Sequence, residues 1–406
     1  MCPKSSPRPH EGAPRVFYFG HLHPSHESMI SNPPEGFDFV SKHDSRGYGD
    51  FVKPPSYTPA RRLVSKTAGR LFSAIGQPRR VPILARCDLL HIDGCAVPIT
   101  TQRWMIGSIE YPSAFFSFDD TWYTRPSKRN SLLRSLASPR CRKILTLSSA
   151  SLGCLRMAFG NDFKMIAEKT DVLYPAVPSR DISRRSNSQR EDSAIRILFV
   201  GNHFFDKGGR EVFRAFKRLR RKYDIELTLV TSVPPHHQSY YEAYRKILID
   251  EPGVHLLSGI PKSVLWNDCF AKAHIFCFPS YMETFGYVLL EAMANRLPIV
   301  TTDEFAIPEI VRHGENGLTV HAPIAAFDRD RLRSPQSVKA YREAVLEEKN
   351  FRGVVDSLES SIAQLIEDDS LRERLAANSF QDVTEGRFSV SFRNRKLSEY
   401  YRQALG

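Results

Sequence analysis

The sequence predicts an α/β protein of two domains, each built on a parallel sheet covered by helices on both faces. Three observations support this prediction: the chain has 406 residues, apolar strand-like segments alternate with helix-length segments, and a polar stretch interrupts the alternation near the middle. A chain of this length can bury more than one core. Parallel strands need long crossover connections, and the alternation provides them.

The first half contains five candidate strands, which are short apolar runs bounded by glycine, proline or polar residues. They lie at residues 16–19, 87–92, 104–109, 143–147 and 171–174. These strands predict an N-terminal domain over residues 15–177. Residues 1–14 are polar and rich in proline, so they are predicted to form a disordered tail.

The second half repeats the alternation more clearly. Residues 178–194 are crowded with Ser, Arg and Asp and predict an exposed linker. A second domain is predicted over residues 195–390, in which the mixed polar sequence of residues 322–352 indicates an insertion or lid. The last segment, residues 391–406, is predicted to be a helix that returns to the first domain.

Composition limits the partners, the location and the metal or disulfide sites that the protein is expected to have. The net charge of +12 favours an anionic partner. No apolar run is long enough for a membrane span, and the N-terminus lacks the apolar stretch of a secretory signal, so we expect a cytoplasmic protein. Seven cysteines without CxxC spacing indicate neither a zinc site nor a disulfide framework, and no metal site is predicted.

The most informative segment is residues 278–293, where a strand ends at Pro279, a loop follows, and a helix begins near Tyr287. Backbone N–H groups at such a helix start can bind a diphosphate. Glu283 and Glu291 would flank this anion, where ionised carboxylates suit sugar and ribose hydroxyls. Taken singly, either glutamate could instead be a helix cap or a buried residue with a basic partner.

A second glycine turn follows the strand that begins the C-terminal domain. Gly201 permits a tight turn, and Lys207, just before Gly208 and Gly209, can place an ammonium beside phosphates. The order of a P-loop and the GxGxxG pattern are both absent. Alone, this lysine is more typical of a solvated helix start.

Together these motifs resemble the family 4 glycosyltransferases, and the two glutamates match that family's E-x7-E motif. The likeness is strong over roughly a third of the chain. Its motifs, in order, are Gly201 to Gly208, Pro279-Ser280, Glu283, Phe285-Gly286, Glu291 to Ala294, Pro298, Pro308 to Val311 and Gly314 to Gly317.

The resemblance implies the GT-B architecture, with two facing Rossmann-like domains and the active site in the cleft between them. It implies retaining transfer of a sugar from a nucleotide diphosphate donor, expected to be a UDP- or GDP-sugar, without a cofactor or an obligatory metal. By analogy Lys207 stabilises the leaving diphosphate, Glu283 holds the donor sugar and Glu291 holds the ribose. The expected donor-binding set is Gly201, Asn202, Lys207, Glu283, Phe285, Gly286, Tyr287, Val288 and Glu291.

Of the departures from the family pattern, two concern candidate site residues. The family often has an arginine directly after the strand glycine, where this chain has Asn202. Many relatives have a histidine near the reacting sugar, at a place that Glu110 occupies here. Glu110 is therefore a candidate catalytic residue that contacts the donor sugar or the acceptor, or else an exposed carboxylate at a strand end.

Candidates for the acceptor side lie where strands of the first domain end. Gly20, His21 and His23 follow the first strand, and Asp93 follows the strand at residues 87–92. Lone histidines are more often surface residues than ligands, so the functional interpretation of these two has a plain alternative.

Residues 60–76 combine an apolar stripe with four basic residues. Such a helix can lie on an anionic membrane and approach a lipid-linked acceptor, although the stripe could equally pack on the domain's own sheet.

The expected function is transfer of a sugar to a sugar or lipid-linked acceptor in polysaccharide or glycolipid assembly. Three alternatives remain open: a sugar-nucleotide epimerase of the same fold, a non-catalytic scaffold, and a nucleic-acid-binding protein. The sequence has no signature of a nucleic-acid-binding motif, so no nucleic acid partner is expected.

Overall fold

The computed structural model describes residues 12–20, 24–41, 71–83, 85–179, 194–234 and 237–406. The chain divides into two compact units. Unit 1 comprises Met1–Pro175 together with Val390–Gly406, and unit 2 comprises Ala176–Ser389. Most of the tail, linker and basic segment considered above falls outside the described residues.

Unit 1 is built on a parallel sheet. Its strands, in chain order, are β1 Arg15–Phe19, β2 Asp38–Ser41, β3 Arg80–Pro82, β4 Leu89–Asp93, β5 Val97–Ile99, β6 Trp104–Ile109, β7 Cys141–Thr146 and β8 Thr170–Val172. The main sheet has the order β2-β1-β4-β6-β7-β8, and β3 pairs separately with β5. Strands β4 and β6 are almost entirely buried, which is typical of parallel strands covered on both faces.

The helices of unit 1 include one from the end of the chain. They are α1 Pro24–Ser31, α2 Pro126–Ala137, α3 Ser149–Phe159 and the C-terminal helix Val390–Leu405, with 3₁₀ turns at Pro112–Phe116, Trp122–Thr124, Gly160–Met165 and Ala167–Lys169. Leu397, Tyr401 and Ala404 of the C-terminal helix are buried in one apolar cluster with Val16 and Leu89 of the sheet. The C-terminal helix thus completes the core of unit 1.

Unit 2 is a second α/β unit with a parallel sheet. Its strands are β9 Ile195–Asn202, β10 Ile225–Ser232, β11 Val254–Leu257, β12 Ile275–Phe278, β13 Ile299–Thr302 and β14 Leu318–Val320. Its helices are α4 Gly209–Leu219, α5 Gln238–Asp250, α6 Lys262–Val264, α7 Tyr287–Ala294, α8 Ile307–Ile310, α9 Pro335–Ala344, α10 Arg352–Glu367 and α11 Asp369–Thr384. The C-terminal helix Val390–Leu405 is accordingly α12; a π-helical stretch at Leu265–Phe270 continues α6, and a 3₁₀ turn lies at Glu348–Phe351.

The strand order of unit 2, β11-β10-β9-β12-β13-β14, reverses direction between β9 and β12. From β9 the chain builds outward through β10 and β11, and it then returns to the other side of β9 with β12. In open α/β sheets, ligands bind at such a reversal, outside the carboxyl ends of the strands. The turns after β9 and β12 are therefore the place to look for a site.

The predicted α/β class with two parallel-sheet units is confirmed. Strands β2, β3 and β5 were not predicted from the sequence, because they are three or four residues long and carry no apolar run. In the described part of the chain, no helix is both long enough and apolar enough to cross a membrane.

Candidate functional site

Lys207 and Glu283 meet where the strand order of unit 2 reverses. Lys207 lies in the turn between β9 and α4, and Glu283 lies in the loop between β12 and α7. The Lys207 ammonium donates to Glu283 Oε2 at 2.8 Å and to the carbonyl of Met282. The side chains are 14% and 18% exposed, so the pair is reachable from solvent. An ammonium has three N–H donors, so these two contacts within the described residues leave one donor that can bind an anionic group.

The Glu283 carboxylate is stabilised in its ionised form. Burial alone would raise its pKa, but the Lys207 cation and the backbone N–H groups of Phe285 and Gly286 outweigh burial and lower the pKa. The N–H of Phe285 approaches Oε1 at 3.4 Å. At neutral pH the loop therefore presents a fixed carboxylate, which accepts hydrogen bonds from hydroxyl groups.

The two turns touch because Gly208 has no side chain. Gly208 has a φ of 76° and precedes the first residue of α4. A Cβ on Gly208 would lie 2.3 Å from the carbonyl oxygen of Pro279, far inside van der Waals contact. Gly286, with a φ of 100°, has the same place before α7. Glycine tolerates these left-handed conformations, which strain other residues.

We expect Gly208→Ala to destabilise unit 2 by about 2 kcal/mol or more, because it combines a left-handed backbone with a clash. The measurement is the midpoint of thermal unfolding by circular dichroism. Gly353→Ala is the matched control: it lies in α10 with no atom near the added methyl group and should be neutral or slightly stabilising. Equal midpoints for the two variants would contradict the close approach.

Helix α7 positions the second predicted glutamate. Glu291 lies in its second turn and is 7% exposed. Tyr287, the first residue of the helix, donates its hydroxyl to the carbonyl of Ala176 at 3.2 Å. Val288 follows and is partly exposed. The start of the helix lies at the same edge of the sheet as the Lys207–Glu283 pair, and the N-terminal end of a helix attracts negative charge.

The strand end of β9 supplies Gly201 and Asn202. The Gly201 carbonyl accepts the Thr231 hydroxyl at 2.7 Å, and the exposed Asn202 accepts the Ser232 hydroxyl at 2.8 Å. Asn202 thus lies at the predicted edge of the sheet, with its carboxamide oxygen bonded to the neighbouring strand β10.

Glu304, which the sequence analysis did not single out, belongs to this site. It follows β13 and is 2% exposed. Its Oε2 accepts the backbone N–H of Glu283 at 3.1 Å, and its Oε1 accepts that of Phe327 at 3.3 Å. Burial, and then repulsion by the Glu283 carboxylate, raise its pKa. The available signal was its position: an acidic residue after a third parallel strand at the same edge.

The segment predicted as an insertion packs against both turns. The N–H of Ala326 donates to the carbonyl of Tyr281 at 2.7 Å. The hydroxyl of Tyr341 in α9 donates to the buried Asp206 at 2.8 Å, directly before Lys207. The Tyr281 ring also lies 4.6 Å, between centroids, from that of Phe351. Residues 326–351 therefore pack against the two turns that carry Lys207 and Glu283 and help to hold them in place.

In unit 1, Asp93 is the centre of a buried polar cluster at the end of β4. Its Oδ2 accepts the Tyr18 hydroxyl and pairs with His26 Nε2 at 3.0 Å. Burial favours the neutral acid, but His26 outweighs burial and lowers the pKa of Asp93, so this carboxylate is ionised. His91 Nδ1 contacts the Tyr401 hydroxyl at 2.8 Å, and burial lowers the pKa of His91 to about 4.

The other candidates of unit 1 are placed differently. Gly20 is buried after β1, and a Cβ there would come within 3.0 Å of the Tyr18 hydroxyl, so it borders the Asp93 cluster. Glu110 follows β6 with an exposed side chain, and its carbonyl accepts the Ser151 hydroxyl. His21 and His23 lie outside the described residues. Within the described ranges, no group of three or more His, Cys, Asp or Glu could hold a metal ion.

Sequence comparison shows which known proteins the part of the chain that carries this site resembles. Residues 194–329 match the family described as Glycosyl transferases group 1. The chain is 26% identical over 210 residues to the capsular polysaccharide biosynthesis glycosyltransferase CapM of Staphylococcus aureus, covering 52% of this chain and 46% of that protein. It is 32% identical over 174 residues to the MMP alpha-(1->4)-mannosyltransferase of Mycolicibacterium hassiacum, covering 42% and 39%. The chain thus matches less than half the length of these relatives.

Solved structures share the fold over nearly the whole chain. Anabaena HepE in complex with UDP-glucose has a TM-score of 0.58 at 16% identity and covers 96% of this chain and 99% of its own. Sucrose-phosphate synthase from Thermosynechococcus elongatus has a TM-score of 0.59 at 14% identity, covering 96% and 98%. Residues 194–329 therefore match the model of the Glycosyl transferases group 1 family, and the chain shares the fold of these solved structures.

Proposed function

We propose that this chain is a glycosyltransferase that moves a sugar from a nucleotide diphosphate donor to a hydroxyl of a sugar or lipid-linked acceptor. The transfer proceeds with retention and without an obligatory metal, in the assembly of a polysaccharide or another glycan. The observation that carries the proposal is the Lys207–Glu283 pair, at 2.8 Å, where the strand order of unit 2 reverses. The relatives named above, and a structural neighbour bound to UDP-glucose, support it.

Each residue of the pair has a distinct role in this reaction. When the bond from the sugar to the diphosphate breaks, negative charge grows on the diphosphate and the sugar becomes oxocarbenium-like. The Lys207 cation and the N–H groups at the start of α7 stabilise that charge. The Glu283 carboxylate holds the sugar hydroxyls, the backbone of Phe285 and Gly286 completes these contacts, and Glu291 holds the ribose.

The acceptor is expected on unit 1, where Asp93, Gly20 and Glu110 are the described candidates. A UDP- or GDP-sugar is the proposed donor. Contact of residues 60–76 with an anionic membrane and a cytoplasmic location both stay predictions from the sequence.

The test is a thermal-shift screen of the whole chain against UDP, GDP, ADP and their common sugar conjugates. A ligand that binds only the folded state raises the melting temperature, with a stabilisation of about 2.7 kcal/mol at a hundredfold excess over Kd. A selective shift supports the proposal and identifies the nucleotide. No shift with any of them, from a folded sample, would overturn it in favour of the scaffold or nucleic-acid alternatives.

We expect Glu291→Ala to weaken nucleotide binding at least about tenfold, since a carboxylate that accepts from hydroxyls contributes about 1.5–3 kcal/mol. Isothermal titration with UDP or GDP measures the effect. Glu315→Ala is the control, because Glu315 is exposed and paired with Arg312 elsewhere in unit 2. Unchanged nucleotide affinity in Glu291→Ala would show that Glu291 of α7 does not bind the ribose.

A further inference from the structure

Glu304 is a buried acid that the mechanism above does not use. Each of its two oxygens accepts one backbone N–H, from Glu283 at 3.1 Å and from Phe327 at 3.3 Å. Glu304 therefore joins the loop that carries Glu283 to the segment 326–351 behind it. Burying a carboxyl group costs free energy unless the group forms hydrogen bonds, so loss of either contact would destabilise the buried Glu304 side chain.

The loop around Glu283 is fixed at several separate points. Residue 304 holds the N–H of Glu283, and Lys207 holds its side chain. The Ser280 carbonyl accepts the Thr302 hydroxyl, and the Tyr281 carbonyl accepts the N–H of Ala326. Of these contacts, only the one from Glu304 binds the main chain of Glu283 itself. It therefore fixes the backbone position from which the Glu283 side chain extends.

The charged groups that influence Glu304 belong to the Lys207–Glu283 pair and its surroundings. The ionisable groups that influence it are the Glu283 carboxylate, the Lys207 ammonium and the Tyr341 phenol. Glu304 has little solvent access of its own, whereas Glu283 is exposed enough to meet a ligand. Any effect of Glu304 on a donor must therefore pass through the Glu283 loop.

We propose that Glu304 is a positioning residue for recognition of the donor sugar, fixing the main chain of Glu283 so that its carboxylate meets the sugar hydroxyls. This inference rests on the proposed function, because it takes Glu283 as the group that holds the sugar. It assigns Glu304 no contact with the nucleotide.

The experiment compares Glu304→Gln with the wild type in titrations with UDP and with UDP-glucose, or with GDP and GDP-mannose if the screen selects guanine. Glutamine keeps the volume but has one acceptor oxygen, so one of the two N–H bonds is lost. We expect UDP affinity to stay within about twofold and UDP-glucose affinity to fall about tenfold.

Asp303→Asn is the matched control. Asp303 is the adjacent acid, and its Oδ1 also accepts a backbone N–H, from Ala322 at 2.8 Å, but its Oδ2 contacts the exposed His321 rather than the Glu283 loop. It should leave both affinities unchanged. A sugar-specific loss in this variant as well would overturn the inference, because the effect would not be particular to the Glu283 contact.

A double-mutant cycle separates positioning from a general structural role. In a Glu283→Ala background, Glu304→Gln should cause no further loss of UDP-glucose affinity, since the group that it positions is gone. An additive loss, an equal loss of UDP and UDP-glucose affinity, or wild-type UDP-glucose affinity in Glu304→Gln would each overturn the inference and leave the proposed function standing. A folded wild type that binds none of these nucleotides would overturn both.

Discussion

Replacing Lys207 by alanine is expected to lower turnover about 10²–10³-fold, the usual effect of removing one preorganised group that stabilises developing charge. Nucleotide diphosphate binding should weaken as well. The Lys207 ammonium is the cation observed beside Glu283, directly at the edge where β9 and β12 end. The measurement is the initial rate of donor consumption at saturating donor, together with titration of the nucleotide.

Lys217→Ala controls for the loss of one positive charge. Lys217 lies in α4, is 43% exposed and pairs with Glu251, so neither turnover nor nucleotide affinity should change. If Lys207→Ala retained the rate and the affinity of the wild type, the donor diphosphate would have to bind elsewhere in the chain.

Replacing Arg210 by methionine is expected to destabilise the protein by about 3–5 kcal/mol, the cost of leaving a buried charge without its partner. Arg210 and Glu211 are each 1% exposed and their side chains form an ion pair at 2.6 Å. The guanidinium also donates to the carbonyls of Val345 and Leu346, at 3.1 and 3.0 Å. Urea or thermal unfolding measures the loss.

The loss should depend on pH in a predictable direction. Burial raises the pKa of Glu211. The Arg210 cation opposes this rise, so the pKa of Glu211 is higher still in Arg210→Met. A group whose pKa is raised on folding favours folding at low pH, so the deficit of the variant relative to the wild type should shrink as pH falls from 8 to 5. Arg214→Met, one turn along and paired with the exposed Glu348, should cost at most about 1 kcal/mol. Similar losses in the two variants would contradict the buried-pair assignment.

The elements of unit 2 could be predicted because local and tertiary preferences agree there. Strand β12 ends at Phe278, one residue before the predicted Pro279, and helix α7 begins at Tyr287 as predicted. The pairing of Lys207 with Glu283 brings together residues 76 positions apart, and the sequence placed both at one edge because parallel strands end on the same side.

The site features that could not be predicted from the sequence depend on contacts between residues far apart along the chain. Glu304 could not be distinguished from an exposed acid, because its partners are backbone N–H groups of residues 21 and 23 positions away along the chain. Asp206 is likewise defined by Tyr341, far along the chain. The Asp93 cluster in unit 1 includes Tyr18 and His26, whose approach depends on strand order rather than on any local pattern.

The return of α12 to unit 1 affects the order in which the chain can fold during synthesis. Unit 2 is one continuous stretch, residues 176–389, and all of its strands are available once that stretch has left the ribosome. Unit 1 is discontinuous: Leu397, Tyr401 and Ala404 fill part of its core, and Tyr401 is the partner of His91. Most of unit 1 is therefore synthesised first, but its core is completed last. Until α12 has been synthesised, the apolar residues of unit 1 that pack against α12 lack that helix as a partner.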